Sequence, residues 1–327
     1  MRPSWIALAI LVAWTGSASA EVGLRRLSYV DPGRGAQTPV NVWYPTTAPE
    51  QPVRRGPFTL SVAPDAPVTV GRHPLVVISH GSGGSLLGHA DTAMALARRG
   101  YVAAAVHHAG NAFDDNGNAG RAGMWRDRPR QLSAVLDAVL ADPEIGPQVD
   151  AGRIGALGFS AGGYTVLVAA GARADIDRIA RHCAAHPDDA GFCGLGNDTP
   201  DGKTDGTITA HDPRIRAAVV MAPVGALFDD GALAGVTIPI RLYGAEKDAV
   251  ATVAHHAERV KALLPVAPEY TVVPNAGHYA FMMPFPAIIA AEVGPPALDP
   301  PGFDRAAFHE RLNAEVAAFF DRTLAAR

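Results

Sequence analysis

The sequence has only two cysteines and little excess of either charge, and these shortages limit what the protein can bind. Its formal net charge of −4 and pI near 6.3 give no reason to expect nucleic acid or an anionic membrane as a partner. The glycine-rich segment at 80–84 lacks the Gly-Lys-Ser/Thr ending of a phosphate loop, and no dinucleotide-binding glycine pattern follows a strand. We therefore expect no cofactor and no nucleic-acid partner. The 48% hydrophobic content excludes a disordered chain.

The first twenty residues have the pattern of a secretory signal peptide. A positive charge precedes an apolar stretch at 5–14, and Ala18-Ser19-Ala20 is a small-residue cleavage site before Glu21. The apolar stretch is too short to span a membrane, and neither stop-transfer charges nor a lipoprotein cysteine follow it. We expect cleavage after Ala20 and a periplasmic or secreted protein whose mature domain is 21–327, without a membrane span.

The two cysteines, Cys183 and Cys193, lie in a polar and glycine-rich segment at about 172–211. In an oxidising compartment, an even number of closely spaced cysteines predicts one disulfide. The alternative is a metal site that includes His182 and His186, but such sites usually draw ligand pairs from more than one segment. We therefore expect a structural disulfide and no metal. The segment is too long for an ordinary connection, which indicates an insertion or lid.

Apolar runs and amphipathic stretches alternate along most of the chain, which predicts an α/β fold with a mostly parallel sheet covered on both faces. The first two strands are expected to form an antiparallel hairpin at a sheet edge, followed by a long surface loop at 45–72. The predicted strands are 24–30, 39–44, 74–79, 101–106, 153–159, 215–221, 238–243 and 269–273, and the predicted helices are 85–99, 127–141, 161–170, 252–264 and 303–324.

Gly158-Phe159-Ser160-Ala161-Gly162 is a G-x-S-x-G pentapeptide between a predicted strand and a predicted helix. That context is the one required for a nucleophile elbow, a sharp turn that exposes the serine hydroxyl above the sheet. The flanking glycines allow a tight turn without a Cβ clash, and the helix dipole places positive charge beside Ser160. The alternative is an ordinary glycine-rich turn.

A serine hydroxyl becomes a useful nucleophile only beside a base and a group that orients the base. His278 follows the last predicted strand on a glycine-containing loop, which places its imidazole at the carboxyl end of the sheet. Asp248 follows the preceding predicted strand in the same way, and we expect it to be the acid of a Ser160, Asp248, His278 triad. Other acids in reach of this edge are Glu246, then Asp229 and Asp230.

Acyl transfer also requires two backbone N–H donors aimed at the developing oxyanion. One is expected from Ala161, the residue after the nucleophile. The other is expected from the His80-Gly81-Ser82-Gly83-Gly84 turn, at Ser82 or, in the alternative register, at Gly81. A plain glycine-rich turn is the competing interpretation of this segment.

These elements, in this order along 24–324, resemble the α/β-hydrolase family. The hairpin ending at 41–45, the 79–81 turn and the segments 212–217 and 275–278 resemble predicted dienelactone hydrolases and platelet-activating-factor-acetylhydrolase-like esterases. Dienelactone hydrolases themselves use a cysteine nucleophile, whereas position 160 is serine. The acetylhydrolases carry their acid after an earlier strand, where this chain has apolar residues around Ala218. The resemblance therefore implies the fold and a hydrolase but leaves the substrate open.

The expected function is hydrolysis of a small-molecule carboxylic ester through an acyl-enzyme, with short-chain or aromatic esters favoured because no long apolar lid helix is evident. A serine peptidase or amidase of the same fold, or a phospholipid acetyl esterase, is the alternative. Trp125 and Phe281 are candidates for the substrate wall, although either could equally belong to the core. We expect a monomer.

Overall fold

The computed structural model describes residues 20–195 and 206–326. The predicted signal peptide lies outside the described residues, apart from Ala20. In the part of the chain that the structure describes, no helix is both long and apolar enough to cross a membrane.

The described residues form a three-layer α/β structure around one large sheet. The strands are β1 (Glu21–Val30), β2 (Gln37–Thr46), β3 (Gln51–Arg55), β4 (Phe58–Pro64), β5 (His73–Ser79), β6 (Val102–Val106), β7 (Val149–Phe159), β8 (Ala174–Asp175), β9 (Thr207–Ile208), β10 (Ile215–Met221), β11 (Ile240–Ala245) and β12 (Glu269–Val273). The α-helices are α1 (Ala90–Arg98), α2 (Ala122–Ala141), α3 (Ala161–Ala169), α4 (Arg178–Ala185), α5 (Ala190–Cys193), α6 (Ala257–Leu263), α7 (Ala287–Val293) and α8 (Arg305–Thr323).

Ten of these strands pair in the order β12-β11-β10-β7-β5-β6-β2-β1-β4-β3, and β8 and β9 form a separate small pair. The six strands from β12 to β6 run parallel, so their carboxyl ends meet at one edge. Residues such as Val76 and Val77 in β5 are fully buried because helices cover both faces. Helices α2 and α3 pack on one face, and α1 and α8 pack on the other. The predicted mostly parallel α/β fold is confirmed.

The N-terminal part of the sheet differs from the prediction. Strands β1 and β2 pair antiparallel as expected, but β2 also pairs with β6, so this hairpin is not at the edge. The segment 45–72 is not a long loop, because it contains the β3–β4 hairpin at the sheet edge. Phe58, Leu60 and Val62 alternate with exposed residues along β4, which is the period of a half-buried strand. The prolines and glycines around them concealed this alternation.

Most other differences between the predicted and the observed elements concern the residues at which helices begin. Helix α2 begins at Ala122, earlier than predicted, whereas α1 and α6 begin later, at Ala90 and Ala257. Helix α7 was not predicted. In the insertion at about 172–211, the described residues contain β8, α4, α5 and β9. Cys183 and Cys193 are joined by the predicted disulfide.

Candidate active site

Ser160 lies at the carboxyl end of β7, immediately before α3, in a strained backbone conformation. Its φ of 55° and ψ of −119° belong to a region that residues with a side chain rarely adopt. The Ser160 N–H donates to the Met221 carbonyl at the end of the neighbouring strand β10, at 2.9 Å. Strain of this kind persists only where surrounding contacts enforce it, and it is typical of functional sites.

The glycines on either side of Ser160 are required by close backbone contacts. A Cβ on Gly158 would lie 2.1 Å from the Gly162 carbonyl oxygen, and a Cβ on Gly162 would lie 2.0 Å from the Ser79 carbonyl oxygen. Neither glycine has a positive φ. Their role is therefore to let α3 pack directly against the ends of β5 and β7, and the unusual dihedral angles fall on Ser160 itself.

One imidazole connects the serine to an acid. His278 Nε2 lies 3.0 Å from Ser160 Oγ, and His278 Nδ1 lies 2.7 Å from Asp248 Oδ2. The other oxygen, Asp248 Oδ1, accepts hydrogen bonds from the Val250 and Ala251 N–H groups at 2.9 and 2.7 Å. These bonds hold the carboxylate in one orientation. The Phe159 ring packs beside His278 with ring centres 4.9 Å apart, which limits movement of the imidazole.

The other acids considered from the sequence have different partners. Glu246 accepts a hydrogen bond from the Asn275 N–H at 2.7 Å. Asp229 pairs with Arg178, and Asp230 lies 3.7 Å from the Arg259 guanidinium. Among these acids, all within the described chain, Asp248 is the one in contact with His278.

The turn after β5 faces the serine. A Cβ on Gly81 would lie 3.4 Å from Ser160 Cβ. The Gly84 N–H closes the turn on the Gly81 carbonyl at 3.1 Å, and Gly83 takes the positive φ of 66° that the turn requires. Within the described residues, the backbone N–H groups of Ala161, Ser82 and Gly81 have no hydrogen-bond acceptor, so both registers of the turn offer a donor. Two unpaired donors on facing segments are what an oxyanion requires.

Arg128, for which the sequence predicted no role, lies beneath this turn and is only 1% exposed. Its guanidinium donates to the His80 carbonyl, to Asn111 Oδ1 at 2.5 Å and to Thr165 Oγ1 at 3.1 Å. Asn111 in turn donates to Ser82 Oγ at 2.9 Å. One sequence pattern could have predicted that Arg128 is buried. It lies on the apolar stripe of α2, four residues before Leu132 and seven before Val135, which are both buried.

The electrostatic environment of this network follows from its burial. Burial lowers the pKa of Arg128 to about 9, so the side chain remains a cation at neutral pH. Burial, together with the charge of Arg128, holds the pKa values of His80 and His108 well below the usual value. Both imidazoles are therefore neutral at pH 7, and Arg128 is the positive charge beneath the turn.

The two residues considered as substrate walls both lie in the core. Trp125 is 2% exposed and packs edge-on against Tyr164, with ring centres 4.9 Å apart. Phe281 is fully buried and packs against Phe159 and Phe308. Their burial agrees with the core interpretation that the sequence left open.

A cavity of about 880 Å³ lies beside the turn, and its lining does not include Ser160 or His278. Gly83 and Gly84 form part of its wall, and apolar side chains form much of the remainder. These side chains are Leu24, Phe58, Leu86, Leu87, Phe113, Met282, Phe285, Ile289 and Val293.

The sheet order and the strained serine before α3 define an α/β hydrolase fold. The model of the dienelactone hydrolase family matches residues 59–191, which include Ser160 and the 80–84 turn but neither Asp248 nor His278. The structure of a ferulic acid esterase from Streptomyces cinnamoneus is similar over 95% of this chain and 92% of that chain, with a TM-score of 0.65 and 22% identity. No curated protein sequence matches the chain significantly. The family match and the fold together indicate a carboxylic ester hydrolase that resembles dienelactone hydrolases.

Proposed function

We propose that the protein hydrolyses small-molecule carboxylic esters through an acyl-enzyme formed on Ser160. The observation that carries this proposal is the His278 imidazole, which lies 3.0 Å from Ser160 Oγ and 2.7 Å from Asp248 Oδ2. With Nδ1–H donated to Asp248, Nε2 is left as the acceptor for the serine proton. The base and the group that orients it are thus both within hydrogen-bond reach of the nucleophile.

In acylation, Ser160 Oγ attacks the ester carbonyl carbon while its proton passes to His278 Nε2. The carbonyl oxygen becomes an oxyanion, which accepts hydrogen bonds from the Ala161 and Ser82 N–H groups. His278 then gives the proton to the departing alkoxide, and the alcohol leaves. Asp248 stabilises the imidazolium that exists between these two transfers.

Deacylation repeats the sequence with water as the nucleophile. His278 removes a proton from the water, the resulting hydroxide adds to the acyl carbon, and the same two N–H groups stabilise the second oxyanion. Collapse of this intermediate returns the proton to Ser160 Oγ and releases the carboxylic acid. No other co-reactant is required.

We propose short-chain or aromatic esters as substrates. The cavity of about 880 Å³ beside the 80–84 turn supports this choice, because its apolar side chains would cover an aromatic or short aliphatic group. The aromatic members Phe58 and Phe285 have ring centres 5.6 Å apart. The ferulic acid esterase similarity is compatible with an aromatic acyl group.

We also propose that the enzyme acts outside the cytoplasm, as a periplasmic or secreted monomer. The Cys183–Cys193 disulfide supports an oxidising compartment. N-terminal sequencing of the exported protein would identify the cleavage site, for which we expect Glu21 as the first residue.

The proposal is tested by Ser160→Ala, assayed with p-nitrophenyl acetate and with a graded panel of acyl lengths and aromatic acids. We expect a loss of at least about a thousandfold in kcat. Ser61→Ala, at an exposed position of β4, is the matched control and should keep full activity. A fluorophosphonate should label the native enzyme on Ser160 and leave the variant unlabelled. Turnover by Ser160→Ala near the native rate, or cleavage of peptide amides but not esters, would contradict the proposal.

A further inference from the structure

A second cluster of titratable side chains lies where the insertion meets the segment after β11, outside the site described above. It consists of four imidazoles and two carboxylates arranged as an inner and an outer group of three. The inner group is His182, Asp189 and His256, and the outer group is His186, Asp188 and His255.

The inner group is a buried hydrogen-bond network centred on the Asp189 carboxylate. Asp189 Oδ2 lies 2.9 Å from His182 Nε2 and 2.8 Å from His256 Nε2. Thr252 Oγ1 donates to Asp189 Oδ1 at 2.8 Å, and the Gly225 N–H donates to His256 Nδ1 at 3.0 Å. Because His256 Nδ1 is an acceptor, its Nε2 carries the proton donated to Asp189. This network therefore fixes the three segments that carry it.

Each inner residue holds one member of the outer group in place. His182 lies in the last turn of α4, and His186 is the residue that follows the helix; their ring centres are 4.8 Å apart, so the two imidazoles lie side by side. Asp189 directly follows Asp188, and His256 directly follows His255. The outer group is thus presented by three separate segments whose positions are already set by buried bonds.

The outer group has the composition and the spacing of a metal site. His255 Nε2 lies 2.8 Å from Asp188 Oδ2, and the rings of His186 and His255 are 4.4 Å apart. The nearest potential ligand atoms of the three side chains all lie within 4.8 Å of one another. Among the described residues, the His186 ring has no hydrogen-bond partner. Small side-chain movements would bring all three ligand atoms to about 2.1 Å from a shared ion.

We propose that His186, Asp188 and His255 form a binding site for a divalent transition-metal ion, with Zn²⁺ as the best match. Two imidazole nitrogens and one carboxylate oxygen suit Zn²⁺, whereas Mg²⁺ and Ca²⁺ prefer oxygen ligands throughout. The side chain of Asp188 is 71% exposed, which gives the ion a route to the site and leaves water as a fourth ligand. From the sequence we expected no metal, because its pattern indicated ligands from the insertion alone. In this proposal His255 supplies a ligand from a second segment.

The position of this site indicates what the ion would do. Helix α5 packs so closely on the loop that carries Asp248 that a Cβ on Gly191 would lie 1.7 Å from the Ala249 carbonyl oxygen. The disulfide ties α5 to α4, at whose end His186 lies. An ion shared by His186, Asp188 and His255 would hold the insertion against the region of Asp248, so binding should stabilise the folded protein.

The test is Zn²⁺ titration of untagged, chelator-treated protein by calorimetry, with thermal unfolding in parallel. We expect one ion per chain and a rise in Tm of about 5 °C when Zn²⁺ is at one hundred times its Kd. Co²⁺ bound at the site should show the intense visible absorption of tetrahedral coordination, and Mg²⁺ should have no effect.

Two ligand variants and one control locate the ion. His186→Ala and His255→Ala should each weaken Zn²⁺ binding by at least about tenfold and remove the Tm rise. His211→Ala, at an exposed histidine outside the cluster, should bind as the native protein does. Far-UV circular dichroism and fluorophosphonate labelling check that each variant is folded. Absence of Zn²⁺ binding below about 1 mM, or native affinity in both ligand variants, would overturn the proposal.

Discussion

Arg128 Nε donates a hydrogen bond of 3.1 Å to Thr165 Oγ1, which joins α2 to α3 beneath the active-site candidate. Thr165 in turn donates to the Ala161 carbonyl at 2.8 Å. The same guanidinium holds the His80 carbonyl at the start of the 80–84 turn. A single buried side chain thus contacts both segments that supply the proposed oxyanion donors. We infer that Arg128 is a positioning residue that sets the distance between the two donors.

Arg128→Lys should therefore lower kcat by about ten- to a hundredfold with little change in KM, because the oxyanion exists only in the transition state and intermediate. Lysine keeps the charge but lacks the planar fork that reaches four acceptors at once. Arg130→Lys, at an exposed position on the same helix, is the control and should be unaffected. A rise in KM at constant kcat, with the protein folded, would be evidence against a positioning role.

Asp248→Asn should reduce kcat by about three to four orders of magnitude, because asparagine favours the wrong tautomer of His278. Glu246→Gln removes a charge only two residues away and should leave kcat within about twofold of native, since Glu246 bonds to Asn275 instead. Comparing kcat of the two variants on one ester identifies the acid. An equal loss of kcat in Asp248→Asn and Glu246→Gln would show that negative charge near the loop matters, and not contact with His278.

Gly162→Ala should prevent normal folding, because its Cβ would lie 2.0 Å from the Ser79 carbonyl oxygen. The Cβ would be fixed to the backbone of α3 and the carbonyl belongs to the backbone of β5, so the clash cannot be relieved without displacing one of these packed elements. We expect a loss of at least about 3 kcal/mol in the free energy of unfolding, measured with urea. Gly117→Ala, where an added Cβ would meet nothing within 4 Å, should be nearly neutral. Native stability of Gly162→Ala would contradict the packing described here.

Stability should fall as the pH is lowered below about 6.5, because burial depresses the pKa values of five histidines in the native state: His80, His89, His107, His108 and His182. The pKa values of His80 and His108 lie well below the usual value, and that of His89 is lowered to about 4. Between these values and the unfolded pKa of about 6.5, the unfolded chain binds more protons, so unfolding is favoured as pH falls. Each histidine contributes up to about 1.4 kcal/mol per pH unit. Urea unfolding at pH 5, 6 and 7 measures the slope.

The variant His89→Phe tests how much one of these histidines contributes to the loss of stability at low pH. The His89 ring is buried beside Phe159, and within the described residues neither of its nitrogens has a partner at hydrogen-bond distance. Phenylalanine would remove both the unpaired nitrogens and the proton uptake. The variant should be at least as stable as native at pH 7 and should show a shallower pH dependence. An unchanged slope would mean that His89 does not contribute to acid sensitivity.

The sequence predicted those features whose cause is local. The alternation of apolar runs and amphipathic stretches is the physical basis of the parallel sheet, and the fold class was confirmed. Ser160, Asp248 and His278 each follow a strand of that sheet, so a correct strand order is enough to bring them to one edge. Their catalytic roles remain proposals. The β3–β4 hairpin was missed because its alternation is short and surrounded by prolines and glycines.

By itself, the sequence determined the α/β architecture, the disulfide candidates, and the serine and histidine that meet at the carboxyl edge of the sheet. Only the tertiary structure distinguished Asp248 from Glu246, because two positions along a loop turn one carboxylate toward His278 and the other toward Asn275. It also brought His255 to Asp188, sixty-seven positions away. Contacts of that kind depend on how distant segments pack, and neither propensity nor short-range spacing contains that information.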